Sequence, residues 1–203
     1  MKIGCVILAA GSASRFGQLK QLYDVDGRTL LNRVVDCYVN SSLSSICVVL
    51  GADAVKIAEY LPEGIEAVIC EDWHKGMTAS LSCGLVALLK KSSQTEIISH
   101  VLIGLGDHLG ITEKSLANLV DAAQHNPSKI IATDYNKILG APAIFPFDYI
   151  APLMTLSATQ NKGAQAYIMS HLQHVVKVSL PEAQFDIDTP KDLLAWKNSL
   201  TEI

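Results

Sequence analysis

Short apolar runs alternate with amphipathic stretches from one end of the 203-residue chain to the other. The runs Lys2–Leu8, Ser45–Leu50, Glu66–Cys70, His100–Gly104, Lys129–Thr133, Pro142–Phe145 and Val175–Leu180 read as buried strands. Between them, Thr29–Tyr38, Ala54–Tyr60, Met77–Lys90, Glu113–His125, Lys162–Leu172 and Pro190–Ser199 carry apolar residues at helical spacing. Strands buried on both faces and separated by helices predict an α/β fold. The expected architecture is a three-layer α/β/α sandwich around a mostly parallel, mixed sheet. No repeat or low-complexity tract divides the chain, so residues 1–203 are expected to form one domain. The pattern leaves strand order open.

In open α/β sheets, ligands gather beyond the carboxyl ends of the strands. Three polar segments fall at such ends: Leu8–Leu22 after the first strand, Gly51–Asp53 after the second, and Gly106-Asp107 after the fourth. The first, LAAGSASRFGQLKQL, is the richest. Its glycine lets backbone N–H groups approach an anion, and Arg15 and Lys20 add full positive charges. A phosphate-holding loop is expected there. Two common phosphate loops do not fit it. A P-loop frame counted from Gly11 puts Phe16 and Gly17 where glycine and lysine belong. A dinucleotide fingerprint lacks its middle glycine, and the second strand ends too late, at Leu50.

Composition then narrows the partners. A net charge of −4 argues against nonspecific nucleic-acid binding. It also means that a bound triphosphate needs local cations and a metal ion. No apolar run reaches the roughly 20 residues that span a bilayer. Met1 to Ile7 enter the strand pattern without a leader-like apolar stretch, and the expectation is a cytoplasmic protein with no membrane contact. Cys5, Cys37, Cys47, Cys70 and Cys83 are dispersed without a CxxC pair, which predicts small hydrophobes and neither a disulfide nor a zinc site.

With LAAG, serines and Arg15, then Phe16-Gly17 and Lys20, the first loop resembles the signature of nucleotidyltransferases that activate sugars, polyols and pterins. It is most similar to the molybdenum cofactor (MobA-like) group, and Ala10, where the guanylyl branch usually has a second glycine, points to its cytidylyltransferase branch. Three further segments carry the resemblance along the chain: DWHKGMTASLSCGL from Asp72 to Leu85, Gly106-Asp107, and Asp186-Ile187-Asp188-Thr189-Pro190 with Asp192. The implied fold is the Rossmann-like nucleotidyltransferase fold.

The resemblance implies a nucleotide-binding set of Leu8, Ala9, Ala10, Gly11, Ser12, Gly76, Ser80 and Gly106. It makes Arg15, Lys20 and Asp107 the catalytic residues, with Mg²⁺ held by Asp107 together with Asp186 or Asp188. Two carboxylates at i and i+2 on an extended segment point the same way, although one of them could instead cap the helix starting at Thr189-Pro190. The implied reaction joins CMP from CTP to molybdopterin or its metal-loaded form, with transient contact to a molybdoenzyme or its chaperone. A sugar or polyol phosphate acceptor is the second reading, and a noncatalytic cofactor-delivery factor the third.

Departures from the common spelling cluster away from the first loop. Gly-Asp-x-Pro is replaced by Gly106-Asp107-His108-Leu109-Gly110, and His108 is expected to be a neighbour of the metal, not a ligand. Gly-His-Pro is replaced by Gly140-Ala141-Pro142, and Gly-Ala-Arg by Gly163-Ala164-Gln165. His74 is expected to be a surface residue. The donor half is well preserved and the acceptor half is altered.

Overall fold

The computed structural model describes residues 1–13, 15–95, 97–156 and 163–201. Ser14 of the first loop, Lys162 of a predicted helix, and Glu202 and Ile203 lie outside the described residues. The chain runs β1 (Ile3–Leu8), β2 (Asp24–Val25), β3 (Arg28–Thr29), α1 (Leu30–Val39), β4 (Ser45–Leu50), α2 (Ala54–Ala58), β5 (Glu66–Ile69) and α3 (Met77–Thr95). It continues β6 (His100–Leu105), α4 (Glu113–His125), β7 (Ile130–Tyr135), β8 (Ile138–Pro146), α5 (Ile150–Met154), α6 (Ala164–Ser170), β9 (Val175–Ser179) and α7 (Pro190–Thr201).

Seven of these strands form one sheet in the order β5-β4-β1-β6-β8-β7-β9. β8 alone runs against its neighbours, and the other strands are mutually parallel. Its reversal has a local cause. Asn136 and Lys137, both with positive φ (46° and 65°), make the two-residue turn between β7 and β8. Two successive residues in that region match the right-handed twist of flanking strands and return the chain antiparallel. Asp26 and Gly27, at φ 54° and 83°, do the same for the small β2-β3 hairpin. That hairpin and the short α5 were not among the predicted elements, although Asp-Gly is itself a hairpin signal.

Alternation along β1 divides the core in two. Ile3, Cys5, Ile7 and Ala9 face a layer formed by α1, α2, α4 and α7, while Val6, Leu8 and Ala10 face α3, α5 and α6. Every residue of β1 is buried, which explains why it reads as a continuous apolar run. Helix starts carry their own signals. Thr29 accepts a hydrogen bond from the Asn32 backbone N–H, and Thr112 and Ser115 form a reciprocal capping box at the start of α4.

One expectation is corrected. Cys70 and Cys83 are paired as a disulfide across a separation of 13 residues, with Cα atoms 5.9 Å apart. The sequence gives no CxxC signal because the pair joins the end of β5 to the second turn of α3, a contact that only packing creates. Cys5 and Cys47 are free and buried among apolar side chains, as expected of small hydrophobes. Cross-linking a loop of this size removes about 3 kcal/mol of unfolded-state freedom. The Cys83→Ser variant should therefore unfold at lower denaturant concentration than the oxidised protein. Adding dithiothreitol should bring the unaltered protein to the same midpoint and leave the variant unmoved.

Candidate nucleotide and metal site

β1 and β6 lie side by side, with Leu8 paired to Leu105 at their carboxyl ends. From β1 the chain builds outward through β4 and β5, then returns to place β6 on the other side of β1. This reversal of direction opens a crevice between the two strand ends. The loop after β1 and Gly106-Asp107 after β6 face each other across it. A side chain at position 106 would meet Ala9 Cβ at 2.8 Å and Leu31 at 2.9 Å, so only glycine lets the two strand ends approach so closely.

The crevice encloses a cleft of about 480 Å³, a size suited to a small ligand. Leu8, Ala9, Ala10, Gly11, Ser12, Arg15, Lys20, Gly76, Ser80, Gly106, Asp107, Asp186 and Asp188 all line it. The fold thus gathers the whole expected set on one wall or another of a single cavity. Gly51–Asp53 does not line it. Gly51 instead packs against the Ala10 carbonyl and Trp73, supporting the cleft from behind.

Lys20 sits in a one-turn 3₁₀ helix, Lys20–Leu22, and is 8% exposed. Its Nζ donates to Asp107 Oδ2 at 2.7 Å, to the Ile187 carbonyl at 2.9 Å and to Asp188 Oδ1 at 3.0 Å. These contacts account for all three ammonium donors. Burial by itself would lower the pKa of the ammonium, but Asp107 and then Asp188 outweigh it and raise the pKa above the usual lysine value. Arg15 reaches Asp188 Oδ2 at 2.6 Å, and its side chain is 73% exposed at the rim. Phe16, buried edge-on against Tyr23, pins the loop into the core. Gln21 clamps it from inside by donating to the carbonyls of Ala9 and Gly11. Gln21 was not among the expected residues, and only its contacts reveal its part.

The two acids of the closing motif have separate surroundings. Asp188 faces Arg15 and Lys20, whereas Asp186 lies with Asp107 and His108. Neither caps α7. Thr189 does so, its hydroxyl oxygen accepting from the Asp192 N–H at 3.4 Å, while Asp192 Oδ2 reaches back to accept from the backbone N–H groups of Asp188 and Thr189 and from the Thr189 hydroxyl. Ligand atoms of Asp107, His108 and Asp186 fall within 4.8 Å of one another, a group able to hold a metal ion. Asp107 Oδ1 and His108 Nδ1 are buried there without a hydrogen-bond partner. Such orphaned acceptors fit a cation and would be costly in its absence. Burial, then the neighbouring Asp107 and Asp188, push the Asp186 carboxyl up to about 7.

On the opposite wall, Gly76 (φ 105°) turns the chain into α3, and Ser80 is buried in its first turn. Trp73 and His74 also line the cleft. His74 is exposed, as expected of a surface residue, where the 3₁₀ turn Glu71–Lys75 borders the crevice. Of the altered positions, Gln165 has its side-chain amide near Gly140, and neither it nor Ala141 lines the cleft. Gly140, Ala141 and Gln165 thus lie apart from the residues that line the cleft.

The raised Asp186 carboxyl has a signed consequence for the metal-free protein. A folded-state pKa above the unfolded value contributes stability at low pH that is lost as pH rises through about 4 to 7. Asp186→Asn removes that titration. Without added metal, the variant should match the parent near pH 4 and exceed it in thermal stability at pH 8.

Comparison with known proteins agrees with this arrangement. The MobA-like NTP transferase domain matches residues 5–175. A curated relative, the bifunctional protein GlmU of Alkaliphilus metalliredigens, is 32% identical over 232 residues, covering 96% of this chain and 49% of the relative. The chain thus spans about half the length of that relative. The solved structure of Rv0371c from Mycobacterium tuberculosis in complex with manganese superimposes with a TM-score of 0.77 at 21% identity, over 98% of this chain and 100% of that one. Molybdopterin-guanine dinucleotide biosynthesis protein A from Archaeoglobus fulgidus gives 0.69 at 16% identity, with both chains covered in full (100%). These two structures speak for the fold. The domain match, covering most of the chain and every segment up to β9, assigns the protein to the MobA-like NTP transferase family of nucleotidyltransferases.

Proposed function

We propose that this chain transfers CMP from CTP to a molybdopterin-type phosphorylated acceptor and releases pyrophosphate. The observation that carries the reading is the single cleft at the β1/β6 reversal. It joins the glycine-serine loop, two cations and the carboxylates of Asp107, Asp186 and Asp188. A phosphate monoester is already an anionic nucleophile near neutral pH, so attack on the α-phosphorus needs no general base. The remaining work is to align two anions and to neutralise charge as the bond to pyrophosphate breaks.

In this reading the backbone N–H groups of the Gly11-Ser12 segment cradle the triphosphate. Arg15, anchored at Asp188 and open to solvent, swings onto the β- and γ-phosphates. Lys20 exchanges one carboxylate contact for the α-phosphate and keeps Asp107 oriented with the other. Gly76 and Ser80 seat the base, and the methyl group of Ala10 narrows the cleft toward a pyrimidine. A divalent ion at Asp107 and Asp186, with Mg²⁺ the first candidate, supplies further charge neutralisation for the triphosphate.

A second acceptor class has an observation in its favour. Ala141 and Gln165 replace the polar and cationic residues of the molybdenum cofactor enzymes, so a sugar or polyol phosphate is the alternative acceptor. The family resemblance to a molybdopterin-guanine dinucleotide biosynthesis protein supports the pterin.

Incubation with each of CTP, GTP, UTP and ATP, a divalent ion and molybdopterin should release pyrophosphate fastest with CTP. Turnover with GTP alone would overturn the role given to Ala10, and turnover only with sugar phosphates would move the acceptor. Lys20→Met should lower the rate at least 100-fold, in line with losing a main charge contact in the transition state. It should also cost roughly 2–3 kcal/mol of stability by stranding Asp107 and Asp188, less than a fully buried pair because both acids are partly exposed. Full activity in that variant would remove Lys20 from the mechanism.

A further inference from the structure

We infer that His108 is a direct protein ligand of the divalent ion, and that its nitrogen makes this site select a transition ion such as Mn²⁺ over Mg²⁺. The inference rests on the reading of a cation at Asp107 and Asp186 and adds a third donor of different chemistry. His108 is 1% exposed, yet its Nδ1 has no hydrogen-bond partner. An imidazole buried to that degree ordinarily satisfies its ring nitrogens, as His100 does through Ser99 and the Pro127 carbonyl.

Backbone geometry places the ring where a ligand is needed. His108 and Asp186 face each other across an antiparallel bridge, and directly opposed residues on such a bridge send their side chains to the same face. The Ile187 N–H donates to the Asp107 carbonyl at 3.1 Å, which locks the two segments in this register. Tyr135 packs edge-on against the ring, with centroids 6.5 Å apart, and limits its rotation. Asp107 divides its carboxylate between two tasks. Oδ2 is held by Lys20, and Oδ1 is the buried atom without a partner. Asp107, His108 and Asp186 thus offer two oxygens and one nitrogen within 4.8 Å of one another.

That donor set separates the candidate ions. Mg²⁺ favours oxygen ligands in a strict octahedron and retains much of its water, whereas imidazole suits the first-row transition ions. Asp107 and Asp186 also line the cleft, so an ion held by them would be open to triphosphate oxygens. With His108 at the variable position of the Gly-Asp-x-Pro pattern, the side chain found there in this protein sets the metal preference while the reaction stays the same.

Binding of Mn²⁺ and Mg²⁺ to the full chain, without nucleotide, should be measured by calorimetry, and the Mn²⁺ complex examined by pulsed electron paramagnetic resonance. Mn²⁺ should bind at least roughly 10-fold more tightly than Mg²⁺, and its spectrum should carry nitrogen coupling from one imidazole. His108→Asn, which offers an oxygen in place of the ring, should lose most of that preference and the nitrogen coupling, with Mg²⁺ affinity little changed. Equal affinity for the two ions, or a Mn²⁺ spectrum of the unaltered protein without nitrogen coupling, would overturn the inference. The spectrum requires no variant, so a folding defect in His108→Asn does not remove the test. Metal binding that depends on Asp107 and Asp186 but shows no nitrogen coupling would refute His108 as ligand and leave the transferase reading intact.

Discussion

The ammonium group of Lys20 is the point at which three distant parts of the chain meet. It arrives from the loop after β1, while its acceptors come from the turn after β6 and from the segment leading into α7. Asp107 and Asp188 would repel each other across the crevice without it, and a buried ammonium without them would be equally unfavourable. Each charge is acceptable only because the others are present. The closing motif is therefore drawn up against the sheet, and the strand ends acquire a floor. Arg15 adds a second, solvent-screened contact to Asp188 at the rim, where it contributes less to stability and remains free to move.

That floor is useful because of where the sheet reverses its direction of growth. β1 and β6 are neighbours in the sheet although ninety or more residues of chain separate them, and their carboxyl ends project onto the same crevice. Backbone donors from one strand end and carboxylates from the other are then held on rigid elements. Gly106 permits the close approach, and Phe16 and Gln21 hold the intervening loop in shape. A cleft of closely set charges is thus held on a rigid framework, which would limit the reorganisation needed to bind a charged ligand.

Variation is concentrated away from this framework. Ala141 and Gln165 lie outside the cleft lining, whereas the residues around Lys20 are tied to one another by its hydrogen bonds. His108 lies within the framework itself, beside Asp107 and Asp186. The Cys70–Cys83 pair also acts from outside the cleft. It closes a loop that contains Trp73, His74 and Gly76, three residues of the wall opposite the carboxylates.

The sequence by itself determined the layers, the strand and helix positions, and the identity of the first loop. Buried strands, helical faces and turn residues are local patterns, and the spacing of Gly11, Arg15 and Lys20 is local too. Asn136 and Asp26-Gly27 show that even two hairpins were legible, had their turn residues been given more weight. Tertiary structure decided what depends on long-range pairing. It separated Asp186 from Asp188, gave the capping role to Thr189 with Asp192, joined Cys70 to Cys83, and turned His108 toward the acids. Neither residue spacing nor composition carries such information. Which of two nearby carboxylates joins Asp107 and His108 and which meets a lysine is settled by strand order and register, through contacts between residues far apart in the chain.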